Sequence, residues 1–552
     1  MTSKLPASRR YMGEANMLAP LYTRILELDG WRALAAAGGA GAFANLAFAP
    51  LYIWPALLVS VIFLLWLMDG ASVTENPKAA AFWRGGAFAF GLFGVGFHWL
   101  GFAFLVTPNA HLAFIWLVPA LIAVLSFIWA LALRIMIRFW SNGPQRVVLF
   151  ATTLIAAEWT RGHLFGGFPW NLPGMIWAPG GAVSQLASIG GIWTLSAITL
   201  AAFAAPAALA DLRPRASVFS RVAPGLVAAM AFGATWGWGA QRLQSAPDAG
   251  AANGPTIRIV DAGVPQAEKH KPEQRANVLR RYLELTGADG PNTPGIVIWP
   301  EGAVPYALLQ WPDALDPVSE RLGVRRLIVG TSRVDRLSAG RERWYNSVAV
   351  ISGDSNRRGA LSIYDKHRLV PFGEFVPFRD VAARIGVETL QTLATSGFYP
   401  GPPPSRQSAP GIPAFGPLVC YEALFPGLSP RFEDRPEWLV NVSIDAWFGR
   451  LWGPAQHSDH ARYRAIEEGL PLARAASGGL SGVTDAYGRL IAMADAVDPA
   501  IWGPDPDGWR ARVLDTSLPD AIEPTFYSLW GDRVFWIYIV IFNLGLFVLP
   551  RK

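Results

Sequence analysis

The sequence has 552 residues, which is more than one hydrophobic core usually fills, so we expect at least two domains. Hydrophobic residues make up 52% of the chain, charged residues only 16%, and the mean hydropathy is +0.27, a composition that favours a membrane protein over a soluble one. The net charge of +6 does not indicate nucleic-acid binding, because the basic residues flank apolar segments instead of forming a patch with interleaved aromatics.

The amino-terminal segment, residues 1–30, is too long and too polar before its first apolar run for a cleavable signal peptide. We expect it to be retained in the cytoplasm. Eight apolar stretches follow that are long enough, or nearly long enough, to cross a bilayer. They lie at 31–50, 51–68, 85–106, 112–137, 147–161, 183–210, 222–240 and 534–549. The first seven predict a membrane domain over 31–243, and the eighth predicts a final transmembrane helix.

The basic residues give a test of topology that is independent of hydropathy, since short cytoplasmic loops carry an excess of Lys and Arg. If the amino terminus is inside, fourteen basic residues fall on the inner segments and only Arg161 falls on a short outer loop. The inner residues are Lys4, Arg9, Arg10, Arg24, Lys78, Arg84, Arg134, Arg138, Arg146, Arg213, Arg215, Arg221, Arg551 and Lys552. This asymmetry predicts that both termini are cytoplasmic.

The block between the seventh and eighth spans, residues 256–520, has the composition of an ordinary soluble domain. It follows a small, polar linker at 244–255 and opens with an alternating strand at 256–261. A continuous apolar run at 295–299 is typical of a buried strand, and residues 274–285 have a helical pattern. We therefore predict a mixed α/β domain, which lies outside because seven crossings precede it.

Cys420 is the only cysteine, which rules out an internal disulfide and leaves two interpretations, a buried apolar filler or a reactive thiol. Three short segments each end a probable strand with an ionisable or nucleophilic side chain. They are IVIWPEG with Glu301, YDKHRLVPFGEFVPF with Lys366 and Glu374, and PLVCYEALFP with Cys420 and Glu422. Each segment alone is a weak signal, because a strand-end carboxylate or a lone lysine is usually a surface residue.

Together the three segments resemble the nitrilase superfamily of carbon-nitrogen hydrolases, whose catalytic residues are Glu, Lys and Cys in this chain order. The resemblance implies an αββα sandwich with Glu301, Lys366 and Cys420 as the triad. A thiol is mostly protonated near neutral pH, so its attack needs a base, and Glu301 is the candidate. Lys366 would stay cationic and stabilise the oxyanion of the tetrahedral intermediate.

Two further carboxylates, Glu374 and Glu422, are candidates for supporting the lysine or the leaving group. An alternative interpretation is that both are buried carboxylates that accept hydrogen bonds from backbone donors. His457 and His460, in HSDH, have helical spacing for two metal ligands, but no third ligand is in view. We predict a solvated or substrate-facing helix turn there, and no metal or other cofactor.

Nearly the full chain resembles the bacterial apolipoprotein N-acyltransferases, in which a nitrilase-like domain is placed between membrane spans. Matching segments are LAFAPLYIWPALL, EWTRG followed by GFPWNLPG, DAWFG, and RAIEEGLPLARAA. The resemblance implies a multi-pass protein of the bacterial inner membrane with its catalytic domain in the periplasm. It also implies substrate-binding roles for Trp170, Tyr421 and Trp447, although Trp170 also fits an interfacial belt tryptophan.

The family's reaction, as the resemblance implies it, has two halves. Cys420 would take an acyl chain from a membrane phospholipid as a thioester. The amino group of an S-diacylglyceryl cysteine at the start of an apolipoprotein would then attack the thioester to give an amide. Three positions depart from the family pattern: Ile444 and Ser477 stand where Asn is common, and the opening strand motif reads DAGVPQ.

Two other functions are compatible with the sequence. A membrane-tethered amidase would share the triad and pass the thioester to water, although the aromatic residues near the site favour a water-poor cleft. A transporter or receptor would instead need functional polar groups inside the bilayer, for which His98 and Glu158 are the candidates. The stretch 380–410, which is Pro-rich near its end, predicts either a mobile lid or a static insertion.

Overall fold

The computed structural model describes residues 17–106, 112–141, 143–210, 218–248, 253–290, 293–337, 342–354, 359–375, 397–496 and 510–548. We number its helices in chain order. Before the linker they are α1 (Ala19–Leu26), α2 (Gly30–Ala44), α3 (Pro55–Ser72), α4 (Pro77–Gly96), α5 (Leu117–Met136), α6 (Gln145–His163), α7 (Ala187–Ala204) and α8 (Val218–Gln244). After the linker they are α9 (Gln266–Lys269), α10 (Arg275–Thr286), α11 (Pro312–Leu322), α12 (Trp452–Glu468), α13 (Phe526–Trp530) and α14 (Arg533–Val548).

Every apolar stretch predicted as a span is helical in the structure, but the helices differ in length and apolarity. Among the described residues, three helical segments are long and apolar enough to cross a membrane, at Pro55–Ser72, Leu117–Phe139 and Val183–Ala210. A fourth is added if α4 and the following 3-10 helix His98–Leu105, bent by 46°, form one span. A membrane domain is therefore present, while the predicted total of eight spans remains a prediction.

The bend after α4 occurs where a neighbouring polar side chain reaches the helix backbone. Asn45, at the end of α2, donates from its side-chain amide to the carbonyl of Leu92, 2.8 Å away. The same side chain leaves no room for a Cβ at Gly96, which would lie 2.7 Å from Asn45 Oδ1. A side chain that inserts against the last turn of a helix is a common cause of such a bend.

The glycine-rich sequence of α2 is explained by its contact with α4. A Cβ at Gly41 would lie 1.9 Å from the carbonyl oxygen of Phe88, and one at Gly91 would lie 2.0 Å from that of Gly38. Only glycine allows the two backbones to approach this closely. Small residues at such a crossing are the usual means of packing helices in a membrane, where lipid removes most of the hydrophobic driving force.

The strands form two sheets. They are β1 (Thr256–Asp261), β2 (Ile296–Trp299), β3 (Arg326–Arg336), β4 (Glu342–Ser352), β5 (Ala360–Asp365), β6 (Gln407–Ala409), β7 (Ile412–Val419), β8 (Trp438–Ile444), β9 (Leu472–Ser477), β10 (Gly482–Thr484), β11 (Leu490–Met493), β12 (Asp495–Ala496) and β13 (Arg512–Ser517). Among the described residues, one sheet has the order β12-β13-β1-β2-β3-β4-β5 and the other β11-β10-β9-β8-β7-β6. The strands predicted at 256–261 and 295–299 and the helix predicted at 274–285 are confirmed.

The central strands β1, β2, β8 and β9, which pair in parallel, are buried on both faces, as expected for covered parallel strands. Alternate residues of β1 and β2, such as Ile259 and Ile298, share a buried cluster with Val440 and Ala475 of the second sheet. The opposite face of the first sheet packs on α10 and α11, and that of the second packs on α12.

One helix, α12, connects the two-sheet domain to the membrane helices. The side-chain oxygen of Gln456 accepts hydrogen bonds from the indole N–H groups of Trp99 and Trp170, at 3.1 and 2.9 Å. One turn further along, Asp459 accepts a 2.6 Å hydrogen bond from the hydroxyl of Tyr52. Gln456 is 1% exposed, so these bonds are made out of contact with water, where an unpaired donor is costly.

We predict that Gln456→Ala lowers the thermal unfolding midpoint of the purified protein by several degrees, since two buried indole N–H groups lose their acceptor. The cost of leaving such groups unpaired is about 1–3 kcal/mol each. Tryptophan fluorescence in detergent measures the midpoint. Gln310→Ala, which changes an exposed glutamine, is the matched control. Equal midpoints for the two variants would contradict the assignment.

Candidate active site

The three residues of the predicted triad come from strand ends in two different sheets. Glu301 follows β2, Lys366 follows β5, and Cys420 follows β7. Their exposed fractions are 5%, 1% and 8%, so all three are buried. β2 runs parallel to β1 and β3, and β7 runs parallel to β8, so Glu301 and Cys420 each follow the carboxyl end of a parallel strand, where ligand sites of such sheets lie.

The ammonium group of Lys366 lies between two carboxylates. Its Nζ is 2.8 Å from Oε1 of Glu374 and 3.5 Å from Oε1 of Glu301. Burial on its own lowers the pKa of Lys366, but the two carboxylates outweigh burial and hold the pKa above its usual value. The lysine is therefore a cation at neutral pH. Glu374, predicted as a supporting residue, contacts it directly.

A residue that the sequence reading did not identify, Asn346 of β4, completes this cluster. Its side-chain amide donates to Glu301 at 2.6 Å and to Glu374 at 2.7 Å. Its backbone carbonyl also accepts from the N–H of Lys366, at 2.8 Å. The carboxylates of Glu301 and Glu374 thus both contact the same two donors, the amide of Asn346 and the ammonium group of Lys366. The sequence feature that could have identified Asn346 is its polar side chain immediately before the apolar run SVAVIS, since a buried polar group is held by hydrogen bonds.

The nucleophile candidate, Cys420, occupies a strained turn between β7 and a 3-10 helix. Its φ of +48° is in the left-handed region, which costs a residue other than glycine about 1–3 kcal/mol. Burial raises the pKa of its thiol, and the negative charge of Glu301 raises it further, while Lys366 opposes the rise. The pKa stays well above the usual value, so the thiol is protonated at neutral pH and needs a base.

Glu422 does not contact the ammonium group of Lys366. Its carboxylate instead accepts four hydrogen bonds, from the Tyr364 hydroxyl and from the backbone N–H groups of Val419, His367 and Arg368, at 2.6 to 3.0 Å. It thereby ties the segment after Lys366 to the strand before Cys420. This geometry matches the alternative interpretation, in which a buried carboxylate satisfies backbone donors, and gives Glu422 a positioning role.

His457 and His460 are buried, 0% and 2% exposed, so a solvated helix turn is wrong, while the substrate-facing alternative stays a prediction. His457 Nδ1 lies 2.8 Å from Asp445 Oδ1, and its Nε2 lies 3.1 Å from the backbone carbonyl of Cys420. Burial favours a raised pKa for Asp445, but Arg474 and His457 hold the pKa below its usual range. The ring of His457 therefore bridges a carboxylate and the main chain of the nucleophile.

The three residues predicted to bind substrate lie in different surroundings. The Tyr421 hydroxyl donates to the carbonyl of Gly167, in the outer loop of the membrane domain. Trp170 is 2% exposed, with its N–H bound to Gln456, so it lies inside the domain joint and not in an exposed aromatic belt. Trp447 is half-buried in a 3-10 turn after β8.

The sequence matches two family models in tandem. Residues 40–205 match the apolipoprotein N-acyltransferase N-terminal domain, and residues 271–499 match the carbon-nitrogen hydrolase family. A curated apolipoprotein N-acyltransferase of Rhodopseudomonas palustris is 36% identical over 94% of this chain and 96% of its own length. Those of Bradyrhizobium diazoefficiens and Caulobacter vibrioides are both 38% identical, over 91% and 94% of this chain and 92% and 95% of their own lengths.

The chain belongs to the apolipoprotein N-acyltransferase family. The two matched regions coincide with the membrane helices and with the two-sheet domain, respectively. The sequence-based assignment to this family is confirmed, and so is the membrane character of the chain.

At two of the positions that depart from the family pattern, Ile444 and Ser477, the contact with neighbouring residues is made by the backbone and not by the side chain. The N–H of Ile444 donates to Oε2 of Glu301 at 3.0 Å, a contact that any side chain at this position permits. The carbonyl of Ser477 likewise accepts from the N–H of Asp445 at 2.9 Å. The third departure, at DAGVPQ, places Asp261 where its carboxylate accepts from the N–H groups of Gly263 and Gly478.

The predicted lid at 380–410 lies partly outside the described residues, which resume at 397. Its described part is attached to the lysine segment: the N–H of Phe398 donates to the carbonyl of Glu374, and that of Gly401 donates to the carbonyl of Lys366, both at 2.8 Å. Mobility of the remainder stays a prediction.

We predict that alkylation of Cys420 by a small haloacetamide rises about tenfold per pH unit up to and beyond pH 9, because the raised pKa delays thiolate formation. Glu301→Gln removes a negative charge and should shift this profile to lower pH. Lys366→Met removes the opposing cation and should shift it to higher pH. Mass spectrometry of the single cysteine gives the rates. Shifts in the same direction for both variants would contradict the electrostatic account.

Proposed function

We propose that this chain transfers an acyl chain from a membrane phospholipid to the amino-terminal S-diacylglyceryl cysteine of apolipoproteins, through a thioester on Cys420. The observation that carries the proposal is the buried ion-pair cluster of Lys366 with Glu301 and Glu374, whose charges act on the buried thiol of Cys420, in a domain joined to membrane helices. Family membership supports the acyl acceptor, since the relatives are named for it. The proposed triad needs no metal or cofactor for either half of the reaction.

In the first half, Glu301 takes the proton of the Cys420 thiol as sulfur attacks the ester carbonyl of the phospholipid. A carbon–sulfur bond forms, and the carbonyl oxygen becomes an oxyanion that the Lys366 cation stabilises. The intermediate collapses with cleavage of the ester carbon–oxygen bond. Glu301 returns its proton to the departing glycerol oxygen, which leaves as a lysophospholipid.

In the second half, the neutral amine of the apolipoprotein attacks the thioester carbonyl. Glu301 accepts a proton from the attacking nitrogen, the carbon–sulfur bond breaks, and the proton passes to the Cys420 sulfur. The products are an amide and the regenerated thiol. Because Lys366 is held as a cation throughout, the same oxyanion site serves both halves.

The proposed location of the substrates is the seam between the two domains. Tyr421, beside the nucleophile, and Phe425 belong to the buried cluster of the membrane domain. Phe165 and Phe372, near the seam, are 76% and 64% exposed, which supports an apolar rim open to lipid. We propose Trp170, Tyr421 and Trp447 as substrate-binding residues. Acyl tails that stay in hydrocarbon avoid a cost of about 0.8 kcal/mol per methylene.

We further propose eight spans, with the catalytic domain at 256–520 folded as an αββα sandwich in the periplasm and both termini in the cytoplasm of a bacterial inner membrane. Helices at all eight predicted positions support the span number. The shared cluster between the sheets and the helices on their opposite faces support the sandwich. The distribution of basic residues supports the orientation.

We predict that purified protein incubated with an acyl-labelled phospholipid acquires a label that hydroxylamine removes, and that Cys420→Ala acquires none. Adding a diacylated lipopeptide should discharge the label into an amide. No label on the wild-type protein would refute the acyl-enzyme, and discharge into free fatty acid alone would support the amidase instead. A membrane-impermeant thiol reagent that reaches Cys420 only from the cytoplasm would refute the orientation.

Asn346→Leu should slow acylation of Cys420 by roughly tenfold to a hundredfold, the effect of losing hydrogen bonds to charged groups. The variant removes the amide donor that Glu301 and Glu374 share, so among the described residues the two carboxylates keep only Lys366 and the backbone N–H groups of Ile444 and Val370 as partners. Single-turnover labelling measures the rate. Asn277→Leu, on the far side of the first sheet in α10, is the matched control. Equal rates for wild type and Asn346→Leu would contradict a positioning role.

A further inference from the structure

Three basic side chains surround the buried Tyr421, beside the nucleophile. Burial raises the pKa of Tyr421, and Arg368, Arg161 and Lys366 each oppose the rise, so all three cations lie near its hydroxyl. Two of them are neutralised: Arg161 pairs with Glu158, and Lys366 pairs with Glu374 and Glu301. Arg368 is the exception, since no carboxylate among the described residues forms an ion pair with it.

Arg368 is held in place without an ion pair among the described residues. Its guanidinium carbon lies 5.2 Å from the ring centroid of Phe425, a cation–π contact. Its backbone N–H donates to Glu422 at 3.0 Å, while the side chain is exposed. The guanidinium is therefore preorganised, and its five N–H donors are available to an anion.

The position of Arg368 is the seam at which lipid would enter. Two residues before it, Lys366 is part of the buried cluster. Two residues after it, Val370 packs against the buried core of the membrane domain, as do Tyr421 and Phe425. A guanidinium without an ion pair among the described residues thus lies where the proposed catalytic groups meet the buried core of the membrane domain.

Of the two lipid substrates in the proposed function, only the acyl donor carries an anion at this position. A phospholipid has a phosphodiester a few bonds from its ester carbonyl. The apolipoprotein acceptor has a thioether in its place and an amine that must be neutral to attack. A guanidinium group can donate two parallel, charge-assisted hydrogen bonds to two oxygens of one phosphate.

We propose that Arg368 binds the phosphodiester of the acyl-donor phospholipid and so distinguishes donor from acceptor at a shared site. The inference rests on the proposed acyl transfer and adds which part of the donor is recognised. Arg368 contributes to the first half of the reaction, and the second half proceeds without it.

The test compares two acyl donors in detergent micelles that contain no other phospholipid. One is phosphatidylethanolamine, and the other is diacylglycerol, which has the same acyl ester and no phosphate. For Arg368→Gln we expect the phosphatidylethanolamine concentration at half-maximal Cys420 acylation to rise about tenfold or more. Its maximal rate, its acylation by diacylglycerol and the discharge of preformed acyl-enzyme to lipopeptide should match those of the wild type.

Two variants control the comparison. Arg368→Lys keeps the charge but loses the paired geometry, so its half-maximal concentration should lie between those of wild type and Arg368→Gln. Arg280→Gln, an exposed position on α10, should behave as wild type. An equal loss with both donors, or no loss with phosphatidylethanolamine, would overturn the inference while leaving acyl transfer intact. Failure of the wild-type protein to be acylated by phosphatidylethanolamine would overturn both proposals.

Discussion

The buried ammonium group of Lys366 is the charge on which the arrangement of the site depends. A cation removed from water must be paired, and here two carboxylates from separate segments meet it, with Asn346 joining them. Breaking one contact would leave a charge unpaired in a medium where that is costly. The cluster therefore links the end of β2, the middle of β4 and the end of β5, and the same charges act on the pKa of the Cys420 thiol.

The thiol itself is kept inactive by its surroundings. Burial and the charge of Glu301 both favour the neutral form of Cys420, whereas the positive charge of Lys366 favours the thiolate. A cysteine in this state does not react freely with solutes at neutral pH, so the proposed attack requires that its proton first pass to a base, for which Glu301 is the candidate. A thiol with low reactivity toward dissolved molecules suits an enzyme whose acyl donor is a membrane lipid.

A second constraint comes from the membrane. The helix α12 carries Gln456, which binds two tryptophans of the membrane domain, and the next residue, His457, lies against the backbone of Cys420. Adjacent residues of a helix point in different directions, so one rigid element contacts both domains. The nucleophile is thereby fixed relative to the membrane helices. A lipid ester can reach it only if that relation is maintained.

The sequence by itself determined the helices of the membrane domain, the main strands, and Glu301, Lys366 and Cys420, because hydropathy and strand-end position are local properties. Tertiary structure decided which polar groups meet. Glu374 and Glu422 are alike in sequence, yet one contacts the lysine and the other binds backbone N–H groups. Trp170, which also fitted an interfacial belt, and His457, for which a solvated turn was one alternative, are both buried, and Asn346 was not recognised at all. Each of these outcomes depends on the direction of a side chain after two sheets and two domains have packed, which no local pattern encodes.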